Sequence, residues 1–372
     1  MMIPVNEPLL NGNEKKYLNE CIDTGWISSE GPFIKKFENA MADYVGRKYA
    51  VAVTNGTAAL EMAIEALEIG KNDEVIMPSF TIISCAQAIV KTGAKPILVD
   101  SEYDTFNMKP SDIEDKITSR TKAIMIVHIY GLPVDINPIL ELAKKHNLKI
   151  IEDAAEMHGQ TYNGKMCGSF GDISIFSFYP NKLITTGEGG MVLMNDEVLY
   201  EKCKSLRNLC FSSDGDKRFI HENLGWNLRM TNIQAALGVA QLERIDEFIS
   251  KKRWIGDMYQ NLLSDITTIN LPIKQKDFAE NIYWVFSITL KNEYPKSAKE
   301  VMKELAAKGV ATRPFFYPMH SQPIFTKMGL FLNEEYPNAS RLYEKGFYIP
   351  SGMAITEDQI KEVSKIMHEV LI

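Results

Sequence analysis

The chain has 372 residues, with 48 Asp and Glu against 41 Lys and Arg, a formal net charge of −7 at pH 7. Hydrophobic residues make up 45% and charged residues 24%, with 23 Gly and 16 Pro spread along the sequence, which excludes disordered, collagenous and disulfide-scaffold classes and suits one large domain with a smaller one. The acidic balance argues against a nucleic-acid or anionic-membrane surface.

The opening MMIPVNEPLL has neither the basic segment nor the apolar run of a secretory leader. No later segment supplies the roughly eighteen uninterrupted apolar residues of a membrane helix, so a cytoplasmic protein is expected. From residue 49 to 195, short Val- and Ile-rich runs alternate with helical patterns. Strands are expected at 49–53, 74–77, 96–100, 123–128, 149–152, 173–178 and 191–194, the βαβ signature of a mainly parallel seven-stranded sheet. After the first, Asn55-Gly56-Thr57 opens an amphipathic helix over 57–67, with Leu60, Ile64 and Leu67 on one face. Further helices are expected at 140–146 and 233–249, the second running into Lys251-Lys252-Arg253. Beyond it, helices at 298–308 and 357–371, a strand-like 283–290 and turns at Pro314, Pro318, Pro323 and Pro350 read as a smaller α+β domain. The division expected is 1–245 and 246–372, with no flexible linker and hence a shared interface.

Five cysteines (Cys21, Cys85, Cys167, Cys203, Cys210) form no C-x-x-C, and six histidines form no H-x-x-x-H, so no metal site is expected. Gly159 to Met166 nearly matches a phosphate-binding loop, but Met166 offers no hydroxyl for magnesium and no helical pattern follows. Asn55-Gly56-Thr57 and Asn338-Ala339-Ser340 fit the glycosylation acceptor, which a chain without a leader does not use. No G-x-G-x-x-G follows the first strand, which weakens nicotinamide binding.

Three stretches carry chemistry. The run 169–190 delivers Ser177 from a buried strand and then Lys182 from a turn leading into Gly187-Glu188-Gly189-Gly190. One lysine after a strand is ordinarily a solvated loop residue; a lysine held at a strand end by Gly-rich backbone is also what a Schiff-base link to an aldehyde cofactor requires. Asp153 ends the apolar strand Ile150-Ile151-Glu152, where a carboxylate needs a positive partner or a helix N-cap role. Gly56-Thr57 stands at a helix start, where backbone N–H groups attract a phosphate. All three lie at the carboxyl edge of an open α/β sheet, where ligands bind. A phosphate cradle, a carboxylate for a pyridinium proton and a lysine are the groups pyridoxal 5'-phosphate needs.

On these residues the sequence resembles the DegT/DnrJ/EryC1/StrS aminotransferases, sugar-nucleotide transaminases of the aspartate-aminotransferase fold (fold type I). The likeness runs nearly end to end, through Gly25-Trp26-Ile27-Ser28, Thr54-Asn55-Gly56-Thr57, Glu152-Asp153-Ala154-Ala155-Glu156, Thr185-Thr186-Gly187-Glu188-Gly189-Gly190, Asn227-Leu228-Arg229-Met230 and Arg313-Pro314-Phe315-Phe316-Tyr317-Pro318-Met319-His320. The resemblance implies Lys182 as the residue that takes the cofactor aldehyde, Asp153 on the pyridine nitrogen, and Gly56, Thr57 and Ser177 on the phosphate. Glu156, at a position that is Gln in many members, is implied near the cofactor ring, and Asn227 on the phosphate of the partner subunit's cofactor, which makes a homodimer with shared active sites. Trp26, Ser28, Arg229, Arg313 and His320 are the residues implied for the sugar nucleotide.

The activity implied is transfer of an amino group from glutamate to C4 of a nucleotide-linked 4-keto-6-deoxyhexose. GDP-4-keto-6-deoxymannose is the first substrate implied, and UDP- or dTDP-4-keto-6-deoxyglucose the alternative. A dehydrating branch of the fold carries His in place of the lysine, so Lys182 argues against it. An intact Lys182, Asp153 and Ser177 argue against a non-catalytic regulatory relative. Ile82 stands where members often place an aromatic, Pro180 where Gly is usual, and the loop 209–218, expected to touch the nucleotide, departs from the pattern.

Overall fold

Seven short, mostly apolar segments form one sheet: β1 (Tyr49–Val53), β2 (Glu74–Pro78), β3 (Lys95–Val99), β4 (Thr121–Val127), β5 (Lys149–Asp153), β6 (Ile173–Ser177) and β7 (Gly190–Met194). Their spatial order is β1-β7-β6-β5-β4-β2-β3. β7 runs antiparallel to both neighbours, and every other pairing is parallel. Helices cover both faces, so β2 is buried along its whole length and a near-continuous apolar run replaces alternation. Alternate residues still face opposite sides: Val51 and Val53 join one core cluster with Met77, and Ala50 and Ala52 another with Ile76. The computed structural model describes residues 2–212 and 214–372; Met1, at the head of the stretch read for a leader, and Ser213, in the loop 209–218, lie outside the described residues.

Each expected strand of this sheet is present with ends shifted by no more than two residues. The fold is α/β, with a large, mainly parallel sheet and a smaller C-terminal sheet. Two expectations need correction. The helix expected at 233–249 is two helices, Asn232–Leu242 and Ile245–Leu262, and Lys251-Lys252-Arg253 lies in the middle of the second. The break has no Gly or Pro to announce it. Arg244 leaves helical geometry at φ −116, with its N–H on Gln241 O and its guanidinium on Glu247 and Asn11. The second helix continues because Phe248, Lys252, Ile255 and Tyr259 bury one face. The strand expected at 283–290 begins only at Phe286, because Tyr283 takes a left-handed turn at φ 51.

Phe286–Leu290 lies in an antiparallel sheet with Ile269–Asn270, Gly346–Ile349 and Arg313–Pro314. Ile255, Tyr259, Ile288 and Phe347 build a third core cluster beneath it. Reciprocal capping boxes start the helices at Asn232, Ala298 and Glu357, where Thr231 pairs with Gln234, Ser297 with Glu300 and Thr356 with Gln359. Phe315, Met319 and Phe325 belong to the core of the large sheet, so the segment after Arg313 crosses back onto it. Among the described residues no helix is long and apolar enough to cross a membrane.

Candidate active site

Because six of the seven strands run in one direction, with β7 alone reversed, their carboxyl ends lie on one edge, and the turns that follow β1, β2, β4, β5 and β6 meet there. They enclose a cavity of about 720 Å³. The helix Gly56–Ala66 opens onto it. The Asn55 side chain caps this helix by accepting the Ala58 N–H at 2.8 Å, which leaves the first-turn N–H groups of Gly56 and Thr57 without an intrahelical acceptor. A Cβ on Gly56 would stand 2.8 Å from the Ser177 Cβ, and one on Gly190 would stand 2.3 Å from Asn55 O. Bare glycines therefore let the helix start, β6 and β7 close into a cradle that faces the cavity with Ser177.

Lys182 sits in the turn after β6, its N–H on Tyr179 O at 2.9 Å. Its Nζ lies 3.8 Å from Glu156 Oε1 and 4.0 Å from the centroid of the Trp284 ring, with 11% of the side chain exposed. Burial lowers the pKa of the amine, and the charges of Glu156 and Asp153 oppose that. Burial drives Glu156 up to about 8 against the pull of Lys182 and of the Tyr130 N–H, which donates to Oε2 at 2.7 Å. Asp153, at the end of β5, is buried and raised by that burial; its Oδ1 accepts the Ala155 N–H at 3.0 Å and its Oδ2 the Cys85 thiol at 3.3 Å. Burial and the Lys182 charge push the neighbouring His158 down to about 3, so this imidazole is neutral. The combination fits a phosphate-bearing pyridine aldehyde: open N–H groups and a hydroxyl for the phosphate, a buried amine for the aldehyde, and a buried carboxylate on the same cavity for the ring nitrogen.

Gly56, Thr57, Asp153, Glu156, Ser177 and Lys182 thus come together on one cavity. The other expected residues lie elsewhere on the single chain. Asn227 is exposed, its Oδ1 accepting the Arg229 Nε–H at 2.9 Å, while Arg229 also reaches Asn208 at 2.8 Å. Trp26 and Ser28 are exposed on a loop whose carbonyls accept the Asn232 Nδ2 and backbone N–H, both at 2.7 Å. Arg313 lines an adjoining cavity of about 570 Å³ that shares Tyr179, Asn181, Trp284 and Tyr348 with the first. His320 does not line either; its Nδ1 lies 2.8 Å from Ser79 Oγ and its Nε2 3.2 Å from Ser340 Oγ, which ties its segment to the turn after β2. Ile82 stands on the cavity wall, 48% exposed, and Pro180 O accepts the Asn6 Nδ2 at 2.9 Å.

Sequence reasoning missed Trp284, Tyr130 and Cys85. Trp284 directly follows the left-handed turn at Tyr283, in a stretch that reads as plain strand, and Cys85 reads as one of five cysteines outside any C-x-x-C. It also missed a fully buried cluster in which ligand-type atoms of His128, Glu152 and Cys167 lie within 4.8 Å of one another. Glu152 there already accepts the N–H groups of Gly168 and Phe170 and faces His128 Nε2 at 3.1 Å, so the cluster pins the loop before β6 to the sheet.

The sequence profile described as the DegT/DnrJ/EryC1/StrS aminotransferase family matches residues 8–368. A GDP-perosamine synthase of Escherichia coli O157:H7 is 45% identical over 370 residues, covering 99% of this chain and 98% of that one. A GDP-perosamine synthase of Vibrio cholerae is 41% identical, covering 97% of each. Among solved structures, the putative sugar aminotransferase Spr1654 of Streptococcus pneumoniae in its PMP form superimposes with a TM-score of 0.92 at 26% identity, covering 100% of this chain and 99% of that one.

Proposed function

The chain belongs to the DegT/DnrJ/EryC1/StrS aminotransferase family, and from that premise we propose that it moves an amino group from glutamate to C4 of GDP-4-keto-6-deoxymannose, forming GDP-perosamine. It is an enzyme of the pyridoxal-phosphate-dependent aminotransferases. The GDP-linked sugar rests on likeness, over nearly the whole chain, to relatives that carry the name GDP-perosamine synthase. The single observation that carries the chemistry is the burial of the Lys182 amine 3.8 Å from Glu156, on the same cavity as Asp153 and the Gly56 helix start.

Pyridoxal phosphate, when bound, supplies a carbon that carries the amino group and a ring that accepts the electrons released at the donor's α-carbon. In this reading the N–H groups of Gly56 and Thr57 and the Ser177 hydroxyl hold its phosphate, and Asp153 faces its ring nitrogen. The uncharged Lys182 Nζ takes the proton from the donor's α-carbon and later returns one to the sugar's C4, a general-base and general-acid role at one atom. Glu156, held by the Tyr130 N–H, takes or gives the proton that Lys182 sheds or needs. Ile82, Trp284, Phe316 and Tyr348 form the apolar wall that limits water.

The same reading makes the working unit a homodimer whose sites are shared, with Asn227 completing the partner's phosphate site. Its support is that Asn227 is exposed and lies off its own chain's cavity, on a chain that also exposes the large apolar residues Trp26, Ile27 and Leu224, the last 93% exposed. It also divides the chain into a cofactor-binding domain over residues 1–245 and a smaller domain over residues 246–372, supported by the separate core cluster beneath the second sheet.

The test is kcat/KM for amination of GDP-4-keto-6-deoxymannose against UDP- and dTDP-4-keto-6-deoxyglucose with glutamate as donor. The GDP sugar is expected to lead by at least tenfold, about 1.4 kcal/mol of transition-state binding. A tenfold lead for a UDP or dTDP sugar rejects the substrate and leaves the transaminase.

A further inference from the structure

Trp284 meets the catalytic turn twice. Its ring face lies 4.0 Å from Lys182 Nζ, and its Nε1–H donates to Asn181 O, one residue before the lysine, at 2.8 Å. The indole is 5% exposed and stands between the two adjoining cavities, lining both. Its position is built from both domains of the chain. Tyr283 turns at φ 51, the Ile282 N–H donates to Gly131 O at 3.1 Å, and a Cβ on Gly131 would lie 2.6 Å from the Trp284 N. The indole also stacks on Tyr130, with centroids 6.0 Å apart at 27°, and the N–H of that residue holds Glu156.

We propose that Trp284 is a positioning residue for Lys182: its ring face holds the lysine ammonium when the lysine is free, and its N–H fixes the turn that aims the side chain. The proposal deepens the transaminase reading and rests on it. Between the half-reactions the released amine stands in a buried site where a charged form is costly, and the face of an indole is the apolar surface that attracts a cation. The groups facing the amine besides Trp284 are Asp153 at the end of β5, Glu156 just after it, Cys85 on the helix Ile83–Lys91, and the neutral His158. Of these the two carboxylates, Cys85 and the ring favour the ammonium.

The experiment follows the titration of Lys182 itself. The full chain is labelled with 13Cε-lysine, freed of cofactor, and the Lys182 resonance is assigned by its loss in Lys182→Ala. Trp284→Leu is expected to lower the Lys182 pKa by about one pH unit, tenfold in the dissociation constant. Trp284→Phe keeps a ring face and loses the N–H, so the titration should recover most of that change while capture of added pyridoxal phosphate, followed by absorbance, remains several-fold slower than in the wild type. Trp284→Met reads the same loss of the ring should Trp284→Leu fail to fold, as judged by circular dichroism. A Lys182 titration midpoint in the ring-less variant that coincides with that of the wild type overturns the proposal. A lowered midpoint in a protein that aminates no 4-keto sugar nucleotide leaves Trp284 in place and rejects the transaminase reading instead.

Discussion

The Cys85 thiol lies 3.3 Å from Asp153 Oδ2, and Thr81 Oγ1 lies 3.5 Å from the same sulfur, so the inner oxygen of a buried carboxylate meets a thiol from the helix after β2. The outer oxygen accepts only the Ala155 N–H at 3.0 Å among the described residues. Burial raises Asp153, and these two donors pull it back toward the charged form that a protonated pyridine nitrogen needs. Cys85→Ala removes one donor and should weaken pyridoxal phosphate binding by about 1 kcal/mol, roughly fivefold, while Cys85→Ser should restore it. Equal affinities for wild type and Cys85→Ala, measured by equilibrium absorbance titration, would show that the thiol is only packing.

Glu156 Oε1 lies 3.8 Å from Lys182 Nζ, so each buried charge acts on the other's titration. With the carboxyl group raised to about 8, Glu156 is protonated below that pH and charged above it. The pH profile of kcat/KM should therefore show an ionisation of the pair near pH 8, and Glu156→Gln should abolish it, since an amide does not titrate. An unchanged profile from acid to alkaline pH in Glu156→Gln would assign that ionisation elsewhere.

Lys182→Ala should lower turnover by about 10³-fold or more with circular dichroism unchanged, because no other lysine among the described residues lines the cavity. Asn227→Asp should be inactive for a different reason, the charge it brings to a partner's phosphate site. Mixing the two inactive variants should recover roughly a quarter of wild-type activity, since random pairing gives one intact site in each mixed dimer. Recovery of none after exchange, or full activity in a monomer shown by sedimentation, contradicts the shared site.

Lys252 is buried in the helix Ile245–Leu262, with its Nζ donating to Ser351 O at 2.6 Å and its pKa lowered to about 7 by burial alone. Unfolded, this lysine titrates at its ordinary value near 10.4, so between about pH 7 and 10 the unfolded chain binds the extra proton and stability should rise with pH. Below about pH 7 both states are protonated and the contribution is flat. Lys252→Met should flatten the rise and stabilise the protein at about pH 6 by a few kcal/mol, on the order of 1.4 kcal/mol for each pH unit by which burial lowers the lysine, less about 1 for the lost hydrogen bond. Parallel plots of Tm against pH for the two proteins would argue that the lysine finds water in the folded state.

Sequence alone determined the seven-stranded sheet, the helix start at Gly56 and the cluster of Gly56, Asp153, Ser177 and Lys182. The physical reason is that strands buried on both faces must be apolar throughout, and a parallel sheet puts every following turn at one edge, so chain order already implies that these turns converge. The helix break at Arg244 was not legible, since it depends on where Asn11 and Glu247 stand in space and not on a breaker residue. Tertiary structure alone decided what surrounds the lysine. Trp284 lies 102 positions along the chain from Lys182, as Cys85 lies 68 from Asp153, and no periodicity relates residues brought together by the packing of one sheet against another region of the fold. It also decided where the outlying residues fall: His320 turns to Ser79 and Ser340, and Asn227 faces outward, because hydrogen-bond partners and burial are properties of the folded chain, while residue type states only what a side chain is able to do.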